Sequence, residues 1–72
     1  MNKIILNANY LVINALTAIK NKNYIEAKNL LEKAISIQPE MFAANHNLAI
    51  LNFELGNLDS AILYFEKSKK IK

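Results

Sequence analysis

Two stretches of the chain repeat one pattern at a fixed displacement: Asn23, Ala27, Glu32, Lys33 and Ile37 recur as Asn57, Ala61, Glu66, Lys67 and Ile71. A constant period of roughly 34 residues marks units of supersecondary structure, each a helical hairpin that leaves an apolar face uncovered until a neighbour stacks on it. Overall identity between the two units is low, so the weight rests on where the matches fall. Ala27 and Ala34 bracket Leu31, just as Ala61 and Ser68 bracket Phe65. Spacings of four and three put each trio on one helical stripe, where small residues admit a neighbouring helix and the large one fills the gap. Turn signals recur with the stripes: Asn21-Lys22-Asn23 precedes the first and Gly56-Asn57 the second. Asn23 followed by Glu26 has the form of a capping box, and Asn57 or Asp59 offers an N-cap to the later helix.

The single glycine and the single proline act as punctuation in an otherwise helical pattern. A first helix is predicted from between Lys3 and Asn9 to Asn21, with Ala8, Leu11, Ala15 and Ala18 on one stripe. A second is predicted from Tyr24 to Ile37, stopped by Pro39, which cannot donate within a helix interior. The third runs from Glu40 or Met41 to Leu55, with Phe42, Leu48, Leu51 and Leu55 as its apolar residues, and Gly56 suits a left-handed cap at its end. The last spans Leu58 to about Ile71. Connections of two to four residues force antiparallel neighbours, and no alternating run of useful length argues for strands. The expected fold is all-α, two antiparallel helix-turn-helix hairpins in one domain over residues 1–72. The first repeat covers about 8–41 and the second about 42–72, with 1–7 as an N-terminal extension.

Seventy-two residues allow one small domain, which buries only about 60% of its extended surface and is marginally stable unless something helps it. Absence of cysteine removes disulfides and thiolate metal sites. The net charge of +3 is modest, and the only run of positive charge is the tail Lys67-Ser68-Lys69-Lys70-Ile71-Lys72. Lysines there complement the negative end of a last helix. No arginine or aromatic platform is interleaved with them, so nucleic acid is not expected as a partner. The uncharged stretch from Ile4 to Ile19 falls short of the roughly 20 residues of a membrane span. Asn7, Asn9, Asn14 and Thr17 interrupt it, and a small-x-small cleavage site is at best imperfect at Ala15-Leu16-Thr17. No membrane association is expected, and the cytoplasm is the expected compartment.

Catalytic chemistry is poorly provided for. His46 is the only histidine, and no carboxylates or further ligands surround it at helical spacing to make a base or a metal site. Ser36, Ser60 and Ser68 lack an adjacent base, and there is no glycine-rich phosphate loop. An enzyme, a metal and a cofactor are therefore not expected.

The chain resembles the tetratricopeptide repeat family over residues 8–72. The resemblance is carried by Tyr24, Ala27, Leu31, Glu32-Lys33-Ala34 and Pro39 in the first unit. In the second it is carried by Asn47-Leu48-Ala49, Gly56-Asn57-Leu58, Ala61 and Tyr64-Phe65-Glu66-Lys67. Asn14, Asn45 and Asn52 depart from it, standing where the family usually has large or aromatic residues, and are expected to weaken packing within the hairpins. The resemblance implies a short right-handed α-α superhelix in which the first helix of each hairpin lines a concave surface. Residues facing it would be Asn9, Val12, Ile13, Leu16, Ile19 and Lys20, then Ala43, His46, Asn47, Ile50, Phe53 and Glu54. Of these, Val12, Leu16, Ile19, His46, Asn47, Ile50 and Phe53 are the candidate peptide groove. Some family members grip a chaperone's C-terminal carboxylate on these faces. Only Asn47 matches that clamp, and Asn9 and Ile13 stand where a lysine and an asparagine are required, so that role is not expected.

Repeat arithmetic points to a second surface. The last helix should present Leu58, Ile62 and Ile71 toward a third hairpin, while Tyr10 and Ile4-Ile5-Leu6 raise the same question at the other end. The leading expectation is a non-catalytic adaptor or scaffold module whose apolar groove binds a peptide or helix of a protein partner. The alternative is a self-assembling structural unit that homodimerises through the exposed apolar faces of its terminal hairpins.

Overall fold

The computed structural model describes residues 7–71. The Ile4-Ile5-Leu6 cluster and Lys72 lie outside them. Four α-helices occur among the described residues and no strand: α1 (Ala8–Lys20), α2 (Tyr24–Ile37), α3 (Phe42–Glu54) and α4 (Leu58–Lys70). Each boundary falls within a residue or two of the sequence expectation. None of the helices is long and apolar enough to cross a membrane.

The helices pair as α1 with α2 and α3 with α4, and the hairpins meet where α3 lies against α2, with a smaller touch of α1 on α3. Overall extents of 43 × 29 × 15 Å describe a slab about two helices thick, so every helix keeps a side in solvent. The core is narrow and built on small residues. Ala15, Ala27, Ala34, Ala44 and Ala49 are sealed from solvent, and Leu31, Leu48 and Leu51 fill the space between them. The expected α1 stripe of Ala8, Leu11, Ala15 and Ala18 is buried throughout. On α3 the stripe differs from expectation: Phe42 and Leu55 are exposed, and Ala44, Asn45 and Asn52 are buried beside Leu48 and Leu51.

The two asparagines sit in the core because each ties a hairpin end. Asn45 donates through Nδ2 to the Pro39 carbonyl at 3.0 Å and the Met41 carbonyl at 2.9 Å, bracing the turn between hairpins. Its Oδ1 is buried with no partner among the described residues. Asn52 accepts from Asn57 Nδ2 at 3.3 Å, linking α3 to the start of α4.

Both hairpin turns close in the same way, at equivalent positions of the two repeats. After α1, the Lys22 N–H donates to Ile19 O at 2.9 Å and the Asn23 N–H to Ala18 O at 2.8 Å. After α3, the Gly56 N–H donates to Phe53 O at 3.0 Å and the Asn57 N–H to Asn52 O at 2.8 Å. This is the Schellman arrangement, which needs a left-handed residue at its corner. Gly56 takes φ +84° and Lys22, unexpectedly for a side-chain-bearing residue, +65°.

That geometry also overturns the expected caps. Asn23 and Asn57 stand at N-cap positions but make no side-chain cap bond. Each is simultaneously the last residue of the preceding turn, which holds ψ at 72° and 76°, away from the extended values from which a capping side chain reaches its target. The side-chain cap belongs to a different helix: Asn7, at ψ 163°, accepts from the Tyr10 N–H at 2.9 Å and caps α1. Pro39 ends α2 where expected, after Ile37. It drives Gln38 to an extended φ of −137°, because the residue before a proline is excluded from the helical region.

Candidate functional site

Antiparallel pairing leaves the first helix of each hairpin, α1 and α3, on one side of the slab. Between them is a hollow of about 270 Å³ lined by Leu16 and Ile19 of α1, Tyr24 of α2, and Asn47, Ile50, Leu51 and Glu54 of α3. Leu16 is 44% exposed and Ile50 40%, forming facing walls, while Leu51 at 2% forms the floor. The polar groups are the Asn47 carboxamide, whose Nδ2 donates to Ala43 O at 2.8 Å, and the Glu54 carboxylate. Small-ligand sites usually enclose about 300–1,000 Å³ and most of the ligand. This open trough is smaller, with room for a side chain or two of a docked chain.

Of the seven groove residues expected, Leu16, Ile19, Asn47 and Ile50 come together here. Val12 does not line it. At 5% exposure it belongs to the core cluster with Ala44, Leu48 and Leu51, because the second hairpin covers it. His46 and Phe53 do not line the hollow either. His46 stacks on Phe42 at 5.1 Å between centroids, with the rings 14° from parallel, and meets the edge of Phe65 at 6.1 Å. Tyr24 and Leu51, unremarked in the groove from sequence, line it because α2 and the inner side of α3 close its base.

The exposed stacking face divides similarly. Leu58 and Ile62 are open to solvent, but Ile71 is half-buried beside a hollow with Pro39, Glu40, Lys67 and Lys70. The Lys67 ammonium stands 5.2 Å from the Tyr64 ring centroid. Among the described residues no group of three or more His, Cys, Asp or Glu side chains is placed to hold a metal ion.

Helical hairpins repeating at a constant period, stacked into a slab with an open apolar trough, define a helical repeat protein that works through its surface. The chain belongs to the tetratricopeptide repeat family, whose sequence model matches residues 18–70. It is a protein-interaction module of that family, a class generally without catalysis. Similar curated proteins are the mitochondrial import receptor subunit TOM70 of Saccharomyces cerevisiae strain YJM789 and that of strain ATCC 204508 / S288c. Each is 43% identical over 47 residues, covering 65% of this chain and 8% of the relative's own length. No solved structure matches.

Proposed function

We propose that the chain is an adaptor or scaffold module that binds a helix or extended segment of another protein in the trough between α1 and α3. The observation that carries this reading is the pair of facing aliphatic walls, Leu16 and Ile50, over a floor of Leu51. A partner side chain seated there would be desolvated on three sides, which is how a few anchors come to supply most of an interface's binding energy. Asn47 and Glu54 at the rim would fix the register of the bound backbone or pair with a basic neighbour. The matched stretch of an import receptor subunit belongs to a receptor, which supports recognition over reaction.

Affinity capture from the native cell tests the reading with three baits: the unaltered chain, Ile50→Asp, and Ile25→Asp on the exposed outer side of α2. Partners should be retained by Ile25→Asp and lost with Ile50→Asp. For a captured partner's purified segment, Ile50→Asp should weaken binding at least about tenfold, or about 1.4 kcal/mol. Equal recovery by all three baits would refute the groove.

A further inference from the structure

The two polar groups at the rim of the trough have one hydrogen-bonding sense. Asn47 commits Nδ2 to the Ala43 carbonyl at 2.8 Å, so Oδ1 is the atom left to meet a ligand. The Glu54 carboxylate can only accept. No cation lines the trough, and Lys20, one residue past Ile19, is not among its walls. Glu54 also stands where it costs the fold stability. It is the last residue of α3, a helix with no basic residue in its last turn, and a carboxylate there meets the negative end of the helix dipole. Its counterpart in the first repeat, Lys20, ends α1 with the favourable sign. Among the described residues the one ion pair, at 4.0 Å, joins Lys28 to Glu32, so Glu54 has no cation of its own.

We infer, resting on the trough reading above, that the trough takes an extended segment of a partner protein carrying an aliphatic residue and, two positions away, an arginine or lysine. Asn47, Ile50 and Glu54 follow one another at spacings of three and four on α3, so Glu54 lies about 6 Å along the helix from Ile50. Alternate side chains of an extended chain share a face at about 6.5–7 Å. An aliphatic side chain held between Leu16 and Ile50 therefore sets its second neighbour at Glu54. A cation there meets the carboxylate and the negative end of α3 together.

On the other side of Ile50, the Asn47 oxygen is placed to accept a backbone N–H. An extended chain has such donors to offer, whereas a helix has already bonded its own. The same acceptors disfavour an acidic segment or a terminal carboxylate, for which the rim holds out no donor. Aliphatic walls thus set the affinity, and the two acceptors set the charge and the conformation of what is bound.

A phage-displayed library of random peptides, selected on the full 72-residue chain and on three variants checked for helicity by circular dichroism, tests this. The unaltered chain should enrich peptides with an aliphatic residue two positions from arginine or lysine. Glu54→Lys should turn the preferred charge acidic and keep the aliphatic residue, Lys20→Ala should leave the basic preference in place, and Ile50→Asp should abolish the aliphatic preference. For an enriched synthetic peptide, Glu54→Gln should raise the dissociation constant about twofold to fivefold at low salt, a difference that fades as salt is raised. Glu54→Gln should leave the urea midpoint of the free chain unchanged or higher; a fall would show that the carboxylate serves the fold and overturn the inference. Neutral or acidic residues enriched by the unaltered chain, or a basic preference indifferent to Glu54→Lys, would overturn it too. The trough reading survives those results so long as Ile50→Asp abolishes the aliphatic preference. Enrichment indifferent to Ile50→Asp, or no enrichment at all, would overturn both.

Discussion

The two Schellman turns are the same structure closed by different residues, and that allows a measurement within one molecule. At the corner, Lys22 holds φ +65° and Gly56 +84°. A residue with a Cβ in this region is strained by about 1–2 kcal/mol. Glycine escapes that strain but gives the unfolded chain more conformations, which offsets about 0.4–1 kcal/mol of the gain. A Cβ at Gly56 would meet nothing within 4 Å, so no steric term is added. Glycine should therefore be more stabilising than alanine by about 0.5–1 kcal/mol at position 56 and, independently, at position 22. Lys22→Ala is the proper reference there, because lysine near the end of α1 also gains about 0.3–1 kcal/mol from the helix dipole. For a domain of this size, about 1 kcal/mol moves the melting midpoint by about 4–8 °C. Urea unfolding followed by circular dichroism should show the midpoints shifting with the slope unchanged. If Lys22→Gly proves less stable than Lys22→Ala, the two turns are not equivalent. A loss above about 3 kcal/mol in Gly56→Ala would mean that packing, not the dihedral angle, requires the glycine.

Asn7→Ala should cost about 1 kcal/mol through loss of its cap on α1, while Asn23→Ala should cost less than half of that; equal losses by denaturant titration would contradict the capping assignment. Leu31→Ala should cost about 3 kcal/mol or more, enough to unfold much of so small a domain. Its counterpart Phe65→Ala, measured in dilute solution, should cost roughly 1–2 kcal/mol because that ring is only half-covered. Comparable losses would mean the α4 face is already packed.

Much of the fold is legible in the sequence because helical periodicity and punctuation are local. The small-large-small stripes at Ala27-Leu31-Ala34 and Ala61-Phe65-Ser68 announce close helix approach without any knowledge of the partner helix. Capping at Asn23 and Asn57 is not legible in the same way, since those residues answer to two helices at once and only backbone geometry shows which one prevails. Asn45 and Asn52 look like packing defects in the sequence. Their burial makes sense once the carbonyls of Pro39 and Met41 and the amide of Asn57 are seen within reach.

The site is less legible than the fold, for a reason of geometry. Val12, His46 and Phe53 share a helical side with Leu16 and Ile50, and their chemistry does not say whether a neighbouring hairpin covers them. Stacking decides this: hairpin two seals Val12 and leaves the equivalent His46 at an open end. The sequence alone determined the period, the helices and the pairing of neighbours, all set by contacts a few residues apart. Only the tertiary arrangement decided which apolar residues became core, which became trough and which were left uncovered, because burial depends on what lies a whole repeat away.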